Sequence, residues 1–161
     1  MRVLVLGAET DLGRLIATRL AERGARVAAV ATVAESQAAF AVQRLARRLG
    51  GPGQAIDGGN EMAVRVMVRQ VAKDLGGLDA VVCCAGPGTT QASLELALRF
   101  GGREMARTGG GVFVAALSEP GLPLGRPAVG VATVAVATAG RDPDDVAREV
   151  LGHVAGAPHN G

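Results

Sequence analysis

The stretch GAETDLG at residues 7 to 13 has residue types and a spacing that could bind phosphate groups. It follows the apolar run MRVLVL and leads into RLIATRLAERGARVAAV, so a strand, a glycine-bearing turn, a helix and a second strand follow one another. A dinucleotide-binding unit begins in this way, because glycines allow a tight turn and the helix N-terminus can face a pyrophosphate. The candidate cofactor contacts in this turn are Gly7, Glu9, Thr10, Asp11, Leu12 and Gly13.

Asp11 stands where the dinucleotide-binding pattern has a glycine that approaches the phosphates. A carboxylate at this position could cap the helix by accepting backbone N–H bonds, and it would then compete with a phosphate and repel it. The sequence therefore predicts weakened nucleotide binding, unless the Asp11 side chain turns away from the ligand. The alternative interpretation of the stretch is an N-capped helix that binds no nucleotide.

Composition excludes several other functions. The net charge of +2 is spread along helical stretches, and three Phe with no Trp or Tyr give no platform on which bases could stack, so nucleic-acid binding is not expected. The longest uncharged apolar run, residues 127 to 140, is shorter than the roughly 20 residues that span a bilayer. The N-terminus lacks the pattern of a signal peptide. We expect a soluble cytoplasmic protein without membrane contact.

The cysteines and histidines give weak signals for chemistry. Cys83 and Cys84 are adjacent at the end of a predicted strand, where neighbouring side chains point to opposite faces, so we expect reduced, structural thiols. His153 lies on the last predicted helix and His159 near the C-terminus. Two histidines and two adjacent cysteines at these separations predict no metal site.

Alternating strand and helix patterns predict an α/β fold, a Rossmann-like doubly wound parallel sheet of about six strands with helices on both faces. The predicted strands are Arg2 to Leu6, Arg26 to Ala31, Gln54 to Ile56, Asp79 to Cys83, Gly111 to Leu117 and Gly130 to Val136. A helix from about Ala92 to Ala106 contains Gly101 and Gly102, which are candidate helix breakers. The last helix has Asp142 as its expected N-cap and Pro143 at its first position. We expect one domain over residues 1–155 and a flexible tail over 156–161.

Three further segments follow the first turn in a familiar order. Together, VLGAETDLG, the Asp of QAIDGG, LDAVVCCAG and GGVFVAALSEPG resemble the short-chain dehydrogenase/reductase family over most of the chain. The resemblance implies an NAD(P) cofactor, with Ala85 and Gly86 beside its ribose. Asp57 matches the family acid that hydrogen-bonds the adenine amino group, and its alternative is an ordinary turn Asp. Both amides of the family's Asn-Asn-Ala-Gly are cysteines in this chain.

The end of the second strand bears on the choice between NAD and NADP. Members that prefer NAD usually carry an acid there for the ribose hydroxyls, and this chain has none before Glu35. The sequence therefore slightly favours NADP, with weak binding, and Thr32 becomes a possible phosphate contact. Arg14 is a possible cationic partner, or simply a solvated helix residue.

The residues that carry out catalysis in the family are largely missing. Ser118 matches the family's catalytic serine, but the chain has no Tyr, and its single Lys is Lys73, far upstream. The places expected for Tyr and Lys hold Val131 and Ala135, in a segment rich in β-branched residues that predicts a strand. The resemblance therefore implies an atypical, shortened member that lacks the whole Tyr-x-x-x-Lys crossover helix, and we expect carbonyl reduction by Tyr and Lys to be absent.

A missing crossover helix would leave the fifth and sixth strands bare on one side, although parallel strands are normally buried on both faces. We expect a second copy of the chain, or another protein, to cover the gap, and a second copy would give a homodimer or another homo-oligomer.

Three functions remain open at this point. The first is a nucleotide-responsive or partner-binding module that resembles the family and retains a dinucleotide site. The second is an NADP(H)-dependent oxidoreductase with unconventional or shared catalytic residues, and the third is a structural interaction module without a cofactor.

Overall fold

A single parallel sheet of six strands organises the structure. The computed structural model describes residues 1–119 and 124–158. The strands are β1 (Arg2–Leu6), β2 (Arg26–Ala31), β3 (Gly53–Ala55), β4 (Ala80–Cys84), β5 (Gly111–Leu117) and β6 (Val131–Ala137). The helices are α1 (Asp11–Glu22), α2 (Ser36–Leu49), α3 (Glu61–Leu75), α4 (Gln91–Arg107) and α5 (Pro143–Ala155).

The strands are arranged in the order β3-β2-β1-β4-β5-β6, and each neighbouring pair is parallel. The chain moves outward from β1 to β3 and then returns to the other side of β1 with β4. This reversal opens a crevice at the carboxyl ends of β1 and β4, where ligands of such sheets bind. The predicted doubly wound α/β fold is confirmed.

Helices cover both faces of the sheet and form two apolar clusters. On one face α1, α2 and α5 contribute side chains such as Ile16, Val42 and Val150. On the other face α3 and α4 contribute side chains such as Met67 and Leu94. In the described residues, one face therefore has three helices and the other has two, as expected if one crossover helix is missing.

The helix α4 runs without interruption through Gly101 and Gly102, so the prediction that these glycines break or shorten it was wrong. Packing explains the exception, because a Cβ on Gly101 would lie 2.9 Å from Cγ2 of Val81 on β4. The missing side chain lets the helix approach the sheet closely, and this tertiary contact outweighs the low helix propensity of glycine.

The helix α5 begins as its sequence predicts. Asp142 is the N-cap and accepts a 2.8 Å hydrogen bond from the backbone N–H of Asp144, and Pro143 occupies the first helical position. Of the predicted tail, residues 159–161, including His159, lie outside the described residues, as do Pro120 and Gly121 of the fourth quoted segment.

The connection from β5 to β6 contains no helix in its described residues, 118–119 and 124–130. The prediction that β5 would be bare on one side was nevertheless wrong, because every residue of β5 is buried, with α4 packed on one face and α5 on the other. The strand β6 is less well covered, since Ala132 and Ala135 are exposed and Thr133 is half-buried. The described helices include none with the length and apolar character needed to cross a membrane.

Candidate functional site

The carboxyl ends of three central strands meet at the crevice, and each is followed by a predicted site residue. The turn from Gly7 to Gly13 follows β1, Thr32 follows β2, and Ala85 follows β4. The fold therefore brings together segments that are widely separated in the sequence, and most of the predicted cofactor contacts lie on them.

Gly7 and Gly13 form a tight turn, here called the cradle, and no other residue type would fit at either position. Gly7 has a φ of +75°, and a Cβ on it would lie 2.1 Å from the carbonyl oxygen of Cys84 at the end of β4. A Cβ on Gly13 would lie 2.1 Å from the carbonyl oxygen of Gly7. The backbone of this turn therefore lies directly against the neighbouring strand and the first turn of α1, as a phosphate-binding turn requires.

Thr10 closes this cradle and caps α1. Its Oγ1 donates a 2.7 Å hydrogen bond to the carbonyl oxygen of Gly7 and accepts a 3.0 Å bond from the backbone N–H of Gly13. A Thr hydroxyl can make both bonds at once because it is donor and acceptor. One side chain therefore holds the two glycines in register.

Asp11 does not cap the helix, so this part of the prediction was wrong. It is the first residue of α1, its side chain is 95% exposed, and its Oδ1 lies 2.7 Å from an Nη of Arg14. Because Thr10 already occupies the cap, the carboxylate turns outward along the helix. No described residue accepts a hydrogen bond from the backbone N–H of Asp11 or Leu12, so these two donors remain available to an anion.

Glu9 carries the most unusual side chain of the crevice. Both of its carboxylate oxygens are buried and have no hydrogen-bond partner among the described residues. Burial raises the pKa of this carboxyl, while the backbone N–H groups of Glu9 and Thr32 lie near enough to oppose the rise. The Oγ1 of Thr32 is also buried without a partner. Unpaired buried polar groups are costly, and in a crevice they are candidates for binding a polar ligand.

Ala85 and Gly86 complete the crevice on the side of β4. A Cβ on Gly86 would lie 2.9 Å from Cγ2 of Thr10, which shows how closely this backbone approaches the turn after β1. The backbone N–H of Gly86 donates a 3.0 Å bond to Oγ1 of Thr89, which fixes the chain as it leaves the sheet. The small residues at 85 and 86 therefore leave open the space above the strand end.

Asp57 follows β3 and is exposed. Its Oδ1 accepts a 2.9 Å bond from the backbone N–H of Gly59, so one carboxylate oxygen stabilises the local turn. This is the turn geometry that the alternative interpretation of Asp57 predicts. A role in holding adenine stays a prediction.

Ser118 lies just beyond β5 and is exposed. It opens onto the same cleft as Ala85, Gly86 and Thr89, with Glu119 beside it. The structure therefore brings the predicted serine to the predicted ribose-binding segment. Lys73 lies at the opposite, amino-terminal end of the strands, because it is in the last turn of α3 and lines a groove with Gly77 and Thr108.

The two cysteines are free and buried, in agreement with the expectation of unpaired thiols. Cys83 packs into the cluster of α3 and α4, and Cys84 into the opposite cluster. Burial, with the neighbouring Glu9 carboxylate as a further cause, raises the pKa of Cys84 to about 12, so this thiol is protonated at neutral pH. Among residues 1–119 and 124–158, no group of three or more His, Cys, Asp and Glu side chains could hold a metal ion.

The sequence interpretation missed two features of this site. Thr89 was not singled out, although two threonines before a helical stretch are a signal for a cap and a turn. The burial of the Glu9 carboxylate has no local signal, because it arises only where the ends of β1, β2 and β4 meet.

Comparisons with known proteins agree with this geometry. The model of the short chain dehydrogenase family matches residues 1–116. D-threitol dehydrogenase of Mycolicibacterium smegmatis is 35% identical over 96 residues, which make up 60% of this chain and 37% of that protein. The chain thus spans little more than a third of the length of this relative.

Solved structures show the same fold. A 3-ketoacyl-ACP reductase from Sinorhizobium meliloti 1021 matches with a TM-score of 0.63 and 25% identity, over 72% of this chain and 53% of the other. A short chain dehydrogenase from Mycobacterium smegmatis matches with a TM-score of 0.71 and 22% identity, over 95% of this chain and 85% of the other. The second similarity concerns the fold alone.

Proposed function

Because the chain belongs to the short-chain dehydrogenase family, whose model matches residues 1–116, we propose that it binds a nicotinamide dinucleotide across the carboxyl ends of β1, β2 and β4. The observation that carries this proposal is the cradle of Gly7 and Gly13. There, two backbone N–H groups at the start of α1 have no acceptor among the described residues. A pyrophosphate would accept from both of them at the positive end of the helix.

The residues present fit such a cofactor. The outward-turned Asp11 leaves the cradle open, although its negative charge near the helix start weakens the attraction for phosphate. Gly86 lets the cofactor ribose approach the end of β4, and Asp57 is the candidate contact for adenine. A bound nicotinamide ring supplies hydride-transfer chemistry, which the protein can only orient and shield from water.

Thermal unfolding in the presence of millimolar NAD, NADH, NADP or NADPH tests this site. Ligand at about 100 times its dissociation constant adds about 2.7 kcal/mol of stability, which raises Tm by about 5–10 °C in a domain of this size. The variant Gly86→Val should lose this shift because its Cβ would press on Thr10, which holds the cradle of Gly7 and Gly13. The matched variant Gly152→Ala should keep it, since nothing lies within 4 Å of a Cβ there. No shift with any cofactor would favour the cofactor-free interaction module.

We propose further that the protein does not reduce carbonyl groups through a Tyr and Lys pair. The chain has no Tyr, and Lys73 is at the amino-terminal end of the strands, opposite to the crevice. General acid catalysis needs a proton donor within hydrogen-bond reach of the substrate oxygen, and neither residue type is available there. A nucleotide-responsive or partner-binding role is therefore the proposed function.

A second candidate is an oxidoreductase with unconventional catalytic groups. The observation in its favour is that Ser118 and Glu119 share an open cleft with Ala85 and Gly86. A hydroxyl and a carboxyl at this place could orient a substrate and exchange a proton with it. Steady oxidation of NADPH or NADH by a carbonyl substrate, abolished in Ser118→Ala and reduced in Glu119→Gln, would support this candidate. Turnover that persists in Ser118→Ala would place the chemistry elsewhere.

The partner that we propose is a second copy of the chain, packed on the side of β6 that carries Thr133 and Ala135. These residues lie next to Phe113 and Ala115 of β5, so they are on the face of the sheet that α3 and α4 cover. Residues 127 to 140 carry no charge, so nothing in this run opposes association.

Sedimentation velocity tests this partner. The variant Ala135→Arg should give a monomer, because it places a charge on the proposed interface. The variant Ala132→Arg should not, because Ala132 is exposed on the opposite side of the same strand. A wild-type monomer at every concentration, or equal effects of the two variants, would exclude this interface.

We also propose that residues 1–155 act as one dinucleotide-binding domain with residues 156–161 as a tail. A cytoplasmic location is proposed as well, because free buried thiols are typical of reducing compartments.

A further inference from the structure

The carboxylate of Glu9 is the strongest unexplained feature of the molecule. Glu9 lies in the turn after β1, and both of its carboxylate oxygens are buried without a hydrogen-bond partner among the described residues. The backbone N–H groups of Glu9 and Thr32 offset only part of the cost of burying this carboxylate, since burial is the larger effect and neither oxygen has a hydrogen-bond partner among the described residues. A ligand with hydroxyl donors would remove this cost by hydrogen-bonding to the buried oxygens.

The position of this carboxylate is defined by three strand ends. The backbone N–H of Thr32, directly after β2, lies close enough to favour the charged form of Glu9. The thiol of Cys84 at the end of β4 feels its charge, and a Cβ on Gly86 would lie 3.9 Å from its Oε1. Glu9 therefore starts from the turn after β1 and reaches the space above the end of β2.

The end of β2 is where a dinucleotide-binding sheet holds the adenosine ribose, usually through an acid on the strand itself. This chain has no acid between Ala31 and Glu35, and Glu35 is exposed before α2. Glu9 and the unpaired Oγ1 of Thr32 occupy this position instead. A carboxylate that accepts and a hydroxyl that can donate or accept complement two ribose hydroxyls.

We infer that Glu9 supplies, from the turn after β1, the carboxylate that binds the ribose hydroxyls, and that it makes the protein prefer NAD to NADP. The inference rests on the proposed dinucleotide site. A 2′-phosphate would bring a second negative group against Glu9 in a partly buried crevice, where like charges repel more strongly than in water. This reverses the preference for NADP that the sequence alone suggests.

The turns after β1 and β2 contain no basic side chain that could neutralise a 2′-phosphate. Residues 7 to 13 and 32 to 35 contain neither Lys nor Arg. Arg14, the nearest candidate in the sequence, is paired with Asp11 on the exposed side of α1. The Glu9 carboxylate is therefore not neutralised by a basic residue of these two turns.

Binding measured by calorimetry tests this inference without reference to activity. The full chain is titrated with NAD and with NADP, as the wild type and as Glu9→Gln, an isosteric change that keeps the packing. We expect the wild type to bind NAD at least about tenfold more tightly than NADP, and Glu9→Gln to reduce that ratio by about tenfold by relieving the repulsion. The control Glu35→Gln should leave the ratio unchanged, because its side chain is exposed.

The outcomes separate this inference from the proposed function. Tight binding of both cofactors, with a ratio that Glu9→Gln does not change, would overturn the role of Glu9 and leave the dinucleotide site intact. A wild-type preference for NADP would do the same. Binding of neither cofactor by the wild type or by Glu9→Gln would overturn both the site and the role of Glu9.

Discussion

Replacing Thr10 by Val removes the side-chain bonds that hold the cofactor turn while keeping the shape of the side chain. The Oγ1 of Thr10 makes two of them, a 2.7 Å bond to the carbonyl oxygen of Gly7 and a 3.0 Å bond from the N–H of Gly13. Val has the same branched shape but no hydroxyl. The carbonyl oxygen of Gly7 keeps one partner, the backbone N–H of Thr10, so the turn weakens without collapsing.

The expected loss can be worked from these two bonds. Removing an N-cap side chain costs about 1 kcal/mol, and losing a neutral hydrogen bond to a half-buried carbonyl costs about 1 kcal/mol more. The total of about 2 kcal/mol corresponds to a decrease in Tm of about 4–8 °C for a domain of this size. If the turn binds phosphate, dinucleotide affinity should fall as well, because the N–H groups of Asp11 and Leu12 lose their fixed orientation.

Urea unfolding followed by circular dichroism gives the change in the free energy of unfolding. The control is Thr18→Val, which removes a 2.8 Å bond from the Thr18 hydroxyl to the carbonyl oxygen of Arg14 on the same helix. That hydroxyl is on the helix surface, so its loss should cost less than about 0.5 kcal/mol. Thr10→Ser should recover most of the wild-type stability. A cost for Thr10→Val no greater than that for Thr18→Val would refute the role assigned to Thr10.

Three further predictions concern packing and ionisation. Gly101→Ala should cost about 1–3 kcal/mol by forcing α4 away from Val81, whereas Gly152→Ala should be neutral or stabilising by up to about 1 kcal/mol; urea unfolding compares the two. Asp79 receives hydrogen bonds from the guanidinium and backbone N–H of Arg2, which lower its pKa, so its stabilisation is present above the unfolded pKa and is lost as pH falls through the folded pKa. Asp79→Asn should therefore cost about 2 kcal/mol at neutral pH, and the difference from wild type should shrink in acid; an undiminished difference would contradict the pairing. The raised pKa of Glu9 gives the opposite pH dependence. The contribution of this side chain to stability is fully present below the unfolded pKa and is lost as pH rises through the folded pKa, because the buried carboxyl then becomes charged. Without cofactor, Glu9→Gln should thus be more stable than wild type by about 1 kcal/mol at pH 7 and equal to it near pH 4, as thermal melts across this range would reveal.

The fold was largely predictable because the central strands are buried on both faces and read as continuous apolar runs. The predicted bounds of β1, β2 and β5 agree with the structure, and those of β3, β4 and β6 are shifted by one residue. The uninterrupted α4 was not predictable, because the contact of Gly101 with Val81 joins residues far apart in the sequence. Local propensity contains no information about such contacts.

The candidate site was predictable in its backbone and not in its side chains. Glycine spacing located the turn, since a positive φ at Gly7 and the close approach of Gly13 are properties of residue type. Thr10 and Asp11 are both good capping residues, and the pattern alone does not say which one caps. The burial of Glu9 depends on three strand ends that meet only in the folded chain.

The geometry of the sheet explains how the crevice can form although the described part of the connection from β5 to β6 contains no helix. The crevice lies at β1 and β4, while the connection whose described residues contain no helix joins β5 to β6. At a spacing of about 4.8 Å between strands, β6 is about 14 Å from β1, so a change there leaves the phosphate cradle untouched. The fold accommodates this connection because α4 and α5 bury β5 completely, and because the exposed residues of β6 are the small Ala132 and Ala135. The dinucleotide binding that we propose therefore depends on β1, β2 and β4 and not on the connection from β5 to β6.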